Sequence, residues 1–437
     1  MGRENTTKLR TWWEHHGETI LLIMISLMAV VAFIWLGYQF WRLLWQSNPV
    51  WSTSPPGAVD LKHRYNDVRY WFANDIHLLP YPPASYAILW PILGWLPFTP
   101  VKWIWAVTTV AMLGWLVYLV VKESGANTTL ERAFVALMPI SMYATGATIG
   151  NGQLIIHILP ALIAGLLLLH KKNYTLREEF LAVALLIFTL VKPNASVPFL
   201  CIALFVPCRF RPAILIVIGY LALTFFAFYF RIPPMVMPTP PQQSQEAPLT
   251  TPEEKLQEKP QENPQFNIFV QLRNLLILTT WSAGWGETYR YSDLPVLLIT
   301  LGLQNWIIPV TLLILAIQAF WTYKYRHEDI WLLMGVAALV ARFWTYHRWY
   351  DDLLILLPMM ALFRIAKMGA YANGRDVIAG VLLAITLLLT LAPGGLYLFP
   401  KPLNSLYAIC QSIVWIIALV FLLYYARYEK NLKISTA

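Results

Sequence analysis

Charge is scarce in this chain. Of its 437 residues only 13% are Asp, Glu, Lys or Arg, about half of the ~25% expected of a water-soluble domain. That excludes an ordinary globular protein. Cysteine is scarcer still: the three residues are Cys201, Cys208 and Cys410. No two sit at metal-ligand spacing, so neither a zinc module nor a disulfide-stapled scaffold is expected, and no disulfide is predicted. Alternating stretches of about ten residues are missing, which excludes an outer-membrane barrel. There is no basic helix interleaved with aromatics, so the formal charge of +9 does not point to nucleic acid; basic residues flanking membrane spans account for it. No nucleotide-binding motif occurs, and no internal repeat of the kind that builds transporters from two halves.

What the chain has is hydrophobicity, 58% of residues, gathered into runs of roughly 17–25 residues that suit a ~30 Å hydrocarbon core. In lipid such runs must be helical, because nothing else satisfies their backbone groups. The expected fold is therefore all-α and polytopic. Twelve spans are predicted near 19–41, 103–122, 132–146, 152–170, 179–193, 196–208, 212–231, 306–323, 329–345, 350–367, 376–393 and 404–427. The first run is too long for a signal-peptide core and lacks a small-residue cleavage site, so it reads as a retained span. The apolar run 84–97 is short, holds two prolines, and reads as re-entrant or interfacial. With the N-terminus cytoplasmic, the seven inside segments hold more than half of the Lys and Arg in under a fifth of the chain, as topology requires. Segments 42–102 and 232–305 then lie outside. The stretch 232–264, with nine prolines and many Gln and Glu, cannot bury a core and reads as a mobile loop. Residues 266–281 have helical apolar spacing and read as a surface helix.

In this topology the unusual polar residues collect at the outer ends of spans. They are Asp60, with Lys62, His63, Arg64, Asp67 and Arg69; His77 and the TyrProPro at 81–83; Asn151 and Gln153 in AsnGlyGln; Lys192 and Asn194 in LysProAsn; and the run 342–352 with Arg342, His347, Arg348, Asp351 and Asp352. Ionisable groups at membrane depth are costly and mark a polar cavity or site. Each also has a purely structural reading. Lys192 can snorkel to the interface, Gln153 can make an interhelical hydrogen bond, His347 can fill an interface, Asp351 and Asp352 can cap the next span, and two prolines fix an extended turn. Their gathering on one face favours a site for a phosphorylated lipid and a hydroxyl acceptor.

The order of these motifs resembles the GT-C superfamily and, within it, glycosyltransferase family 87, the bacterial polyprenol-phosphate-mannose-dependent mannosyltransferases. The likeness runs over about 55–370 and departs in the Pro/Gln-rich loop. It rests on an outside Asp, TyrProPro before a short apolar segment, GlyAsnGlyGln, LysPro, and a late His before an apolar span. It implies a single GT-C-like membrane domain in the bacterial cytoplasmic membrane, acting on the outer face. The donor would be a polyprenyl-phosphate-linked sugar and the acceptor a glycolipid or cell-envelope glycan. Asp60 would be the general base, with Asp67 the competing carboxylate or a substrate contact, and His347 the late catalytic His. Lys192, Arg342 and Arg348 would bind the donor phosphate, while Tyr81, Asn151, Gln153 and Asn194 would contact substrate. No cofactor is called for, and a metal is not favoured. Two other classes fit the same apolar pattern: a flippase or transporter of lipid-linked saccharide, and a polymerase or ligase of lipid-linked glycans.

Overall fold

The structure, a computed structural model, describes residues 3–46, 56–73, 81–207, 209–230, 294–345, 347–368, 374–395, 400 and 402–436. The Pro/Gln-rich stretch, the surface helix expected at 266–281, His77 and Cys208 lie outside the described residues.

The chain starts with a long helix, α1 (Arg3–Trp45), and then two short ones, α2 (Val59–Phe72) and α3 (Pro83–Leu93). A second long helix, α4 (Phe98–Glu123), leads into five shorter ones: α5 (Thr129–Ser141), α6 (Tyr143–Asn151), α7 (Ile155–His170), α8 (Leu176–Thr189) and α9 (Pro193–Phe205). Then come α10 (Arg211–Tyr229), α11 (Leu294–Thr300), α12 (Ile307–Lys324) and α13 (Ile330–Trp344). A 3-10 turn, Trp349–Ile355, runs into α14 (Leu356–Met368), and α15 (Gly374–Thr390) and α16 (Leu403–Thr436) complete the fold. Two starts are written locally in the sequence. Thr128 with Glu131 and Thr175 with Glu178 form reciprocal capping boxes on α5 and α8, each satisfying amide donors that the first helical turn leaves open.

The chain is an α-helical membrane protein by this architecture, and the described residues bear out part of the twelve expected crossings. Among the described residues five helices are long and apolar enough to cross a membrane, within His16–Trp45, Phe98–Glu123, Arg211–Tyr229, Gln304–Lys324 and Leu403–Glu429. A sixth crossing arises if α6 and α7, bent by 119° at their junction, count together. The other apolar runs are broken. The residue between α5 and α6, Met142, is extended and pairs with Leu391 across an isolated bridge. Lys192 leaves the helical region ahead of Pro193, as steric conflict with a following proline demands. Thr345 is extended after α13. The resulting helices of 13–17 residues reach only about 20–25 Å, short of the hydrocarbon thickness. Hydropathy counts a leucine alike whether it faces lipid or protein, and here many face protein.

Burial separates the two populations. The apolar windows of α1, α10 and α12 are 11–17% buried and those of α4 and α16 are 39% buried, so these helices form a lipid-facing periphery. By contrast α7 is buried along nearly its whole length, as is α13. The segment 84–97 forms α3, an 11-residue helix with Pro91 inside it, too short to cross.

Where α2 docks, no side chain fits. A Cβ on Gly57 would lie 1.8 Å from the Arg42 carbonyl oxygen, one on Gly150 would lie 1.9 Å from Gln39 Oε1, and one on Gly152 would lie 2.5 Å from Leu61 Cβ. The Ala58 amide donates to the Gly150 carbonyl at 2.8 Å, and Ala58 itself sits at φ 56, a conformation costly for a residue with a Cβ. Close glycine contacts therefore hold the start of α2 against α1 and the end of α6. Gly57→Ala is expected to lower stability by about 1–3 kcal/mol through overpacking. Gly37→Ala, with open space around its Cβ, should lose nothing. Thermal melting of both variants in one detergent checks this.

Candidate functional site

The breaks in the helices bring the polar motifs together. Pro193 suits the first position of α9, where its missing amide proton is not needed. Lys192 is thereby left as the residue before the helix, its side chain turned inward and 4% exposed. The 3-10 turn Trp349–Ile355 advances about 120° per residue. Its adjacent carboxylates consequently face different partners. Asp351 takes an ion pair from Lys192, lies 3.3 Å from His347 Nδ1 and accepts from the Arg348 amide at 3.3 Å. Asp352 accepts from Arg342 Nε at 2.5 Å and from the Tyr143 hydroxyl, to which Gln411 donates at 3.4 Å. The Lys192 ammonium also sits 4.9 Å from the centre of the Tyr350 ring, and the Arg342 guanidinium lies 5.3 Å from that of Trp415. All of these charges are buried. In a low-dielectric interior, such groups persist only when paired and hydrogen-bonded.

Contacts tie this cluster to the other motifs. Thr148 donates to the Tyr350 carbonyl at 3.3 Å, joining the end of α6 to the 3-10 turn. Ser85 on α3 donates to the Val191 carbonyl at 2.9 Å, joining the TyrProPro helix to LysPro. The Trp344 indole donates to the Asn194 carbonyl at 2.8 Å. Gly152 ends α6 at φ 71, with its amide and that of Gln153 bonded back to Ile149 and Thr148. This is a glycine-terminated helix end, and it leaves Asn151 and Gln153 buried. The Asn151 side chain accepts from Arg42 at 3.3 Å, and Gln39 and Gln46 accept from the same guanidinium at 3.0 and 3.1 Å.

On α2, Arg64 lies 2.8 Å from Asp67 and 4.3 Å from the centre of the Tyr81 ring. Burial pushes the Asp67 carboxyl up, with Arg64 and His63 pulling it back. Asp60 stands in the first turn of α2, where the helix dipole favours a carboxylate, and it acts electrostatically on Arg64 one turn on. Among the described residues the Asp60 carboxylate has no hydrogen bond or ion pair. Asp67, Asp351 and Asp352 are all committed. No group of three His, Cys, Asp or Glu is gathered for a metal among the described residues.

The structure thus assembles Lys192, His347 and the Arg348 backbone around one carboxylate, and Tyr81 with Asp67 around Arg64. Arg342 is 1% exposed and its charge is answered by Asp352, so in the structure it braces the 3-10 turn. Lys192 is likewise compensated, by Asp351. The sequence reading missed both aspartates as partners, and with them Tyr143, Gln411 and Arg42. For Arg42 a signal existed: Gln39, Arg42 and Gln46 recur at helical spacing near the end of an apolar span.

Breaking a buried pair strands the remaining charge, at a cost of about 3–5 kcal/mol. Lys192→Met alone is therefore expected to lower the melting temperature sharply, and Lys192→Met with Asp351→Leu to recover most of the loss. A double-mutant cycle by thermal melting reads the coupling. Additive losses would show that the two side chains do not depend on each other. In comparisons with known proteins, no family model, no curated protein and no solved structure matches this chain.

Proposed function

We propose that this chain is a membrane glycosyltransferase of GT-C type, similar to glycosyltransferase family 87. It would move a sugar, mannose in that family, from a polyprenyl-phosphate carrier to a glycolipid or cell-envelope glycan at the outer face of a bacterial cytoplasmic membrane. The observation that carries the reading is the state of Asp60. It is the one acidic residue among Asp60, Asp67, Asp351 and Asp352 whose carboxylate is uncommitted among the described residues. Its helix is docked on the AsnGlyGln turn by glycine contacts that leave little room to shift.

The chemistry follows from the leaving group. In the transition state the bond from the sugar's anomeric carbon to the phosphate oxygen breaks as the bond to the acceptor oxygen forms, with oxocarbenium character on the sugar. Asp60 takes the acceptor hydroxyl's proton. The carrier departs as a lipid phosphate whose growing charge is met by cationic and N–H donors. Arg348 is half-buried and suits that role. Lys192 and His347, held together by Asp351, contribute as one unit.

A flippase of lipid-linked saccharide is the second reading, and one feature favours it. The bent pair α6–α7 is a discontinuous helix, of the kind transporters place at their binding sites. One experiment separates the two. With polyprenyl-phosphate-mannose as donor and envelope glycolipid as acceptor, Asp60→Asn should fold and bind donor yet transfer sugar roughly 10²-fold more slowly or worse. Asp67→Asn, which keeps the free carboxylate, should retain most activity. If both variants transfer at the wild-type rate, base catalysis by this helix is wrong; if the wild type itself transfers no sugar from this donor, the flippase gains. Orientation is checked apart from activity, in a background without the native cysteines. A cysteine at Gln243 should react with an impermeant maleimide on intact cells, and one at Asn173 only after lysis.

A further inference from the structure

Away from this polar cluster, the junction of α4 and α5 forms a cleft of about 390 Å³, within the size range of small-molecule sites. We propose that it holds the phosphodiester headgroup of an anionic membrane phospholipid. The inference does not rest on the proposed glycosyl transfer.

The lining changes character along α4. Val117 and Val121 form its apolar part, Tyr118 follows at its edge, and Lys122 and Arg132 supply two cations where the helix ends. That gradient has the polarity of a phospholipid, with glycerol and acyl roots toward the bilayer and phosphate at the helix end. The apolar part continues a lipid-facing stripe: Val107, Val110 and Tyr118 are 67%, 57% and 58% exposed and recur at spacings that share one face of α4. Tyrosine beside a cation at the end of a span is an interfacial pairing, and here Lys122 sits 5.6 Å from the centre of the Tyr118 ring.

The two cations are not consumed by neighbours. Two of the acidic groups at this end of the molecule are engaged elsewhere, Glu131 by Lys367 and Asp329 by Arg364 at 2.5 Å, and Glu123, next to Lys122 at the end of α4, forms no ion pair with either cation among the described residues. Among the described residues neither Lys122 nor Arg132 has a carboxylate partner. Arg132 donates from Nε to the Ala126 carbonyl at 3.3 Å. That bond fixes the plane of the guanidinium and leaves its two terminal nitrogens, the fork that suits phosphate oxygens. Gly125, at φ 73 with open space beside it, turns the chain between the two cations without a side chain to fill the cleft.

The test uses the full chain in nanodiscs of phosphatidylcholine with a minority of phosphatidylglycerol, and counts lipids retained on release by native mass spectrometry. Wild type should keep phosphatidylglycerol in preference to phosphatidylcholine and melt higher in its presence. Lys122→Gln with Arg132→Gln should weaken that preference by about 30-fold, from two cations at an anionic surface, with melting in pure phosphatidylcholine unchanged. Should the double variant melt early in phosphatidylcholine, the single Lys122→Gln carries the test, with a loss of about fivefold. Undiminished retention by the variants would overturn the site. An equal rise in melting temperature from inorganic phosphate alone would overturn its assignment to lipid.

Discussion

Two buried ion pairs set the conditions for the rest of this structure. Lys192 with Asp351 and Arg342 with Asp352 bring four charges into the interior of the protein. Neither water nor lipid can rescue a member that loses its partner. The segments bearing them must therefore stay in register: the break before α9, the last turn of α13 and the 3-10 turn. The turn's geometry allows adjacent aspartates to serve opposite neighbours, so one short element ties together parts of the chain about 150 residues apart. Such pairs do not by themselves raise stability over an apolar core. What they do is forbid alternatives, because a slip of one residue in the turn would leave at least one buried cation without its carboxylate.

A second constraint is steric. Gly57 and Gly152 permit approaches to a backbone carbonyl and a Cβ that a side chain would block, Gly150 gives room to the end of the Gln39 side chain, and all three stand where α1, α2 and α6 meet. Seen this way, GlyAsnGlyGln is a packing motif before it is a binding motif: Gly150 admits Gln39, Gly152 admits Leu61, and only then do Asn151 and Gln153 find their places.

How much of this could be read from the residues alone varies with the kind of interaction. Membrane character was legible, because hydropathy is local and additive. So was the gathering of Asp60, TyrProPro, AsnGlyGln, LysPro and the 342–352 run at one end, since all lie at ends of apolar runs. The division of the apolar runs into long helices and short, broken ones was not. A buried helix such as α7 or α13 carries the same apolar residues as a lipid-facing one such as α10, and the breaks at Met142 and Thr345 have no proline or glycine of their own to announce them. Charge partners were equally hidden. Asp351 and Asp352 read naturally as caps, and Asp351 does accept the Arg348 amide. Their cationic partners stand as much as 159 residues away, a separation over which no spacing rule acts.

The division between a lipid-facing periphery and a protein-facing interior also governs how such a chain drifts. On α1, α10 and α12 most apolar side chains meet hydrocarbon tails, which fit leucine, isoleucine or phenylalanine alike. Exchange among them costs little beyond helix propensity. On α7 and α13 each side chain meets a fixed neighbour, and a change of one methylene is felt. Substitutions would therefore accumulate unevenly, blurring the long outer helices while leaving the short inner ones and their joints recognisable. Over long divergence, kinship in such a molecule would be carried by a few scattered dipeptides and glycines, spread too thinly to register as overall likeness.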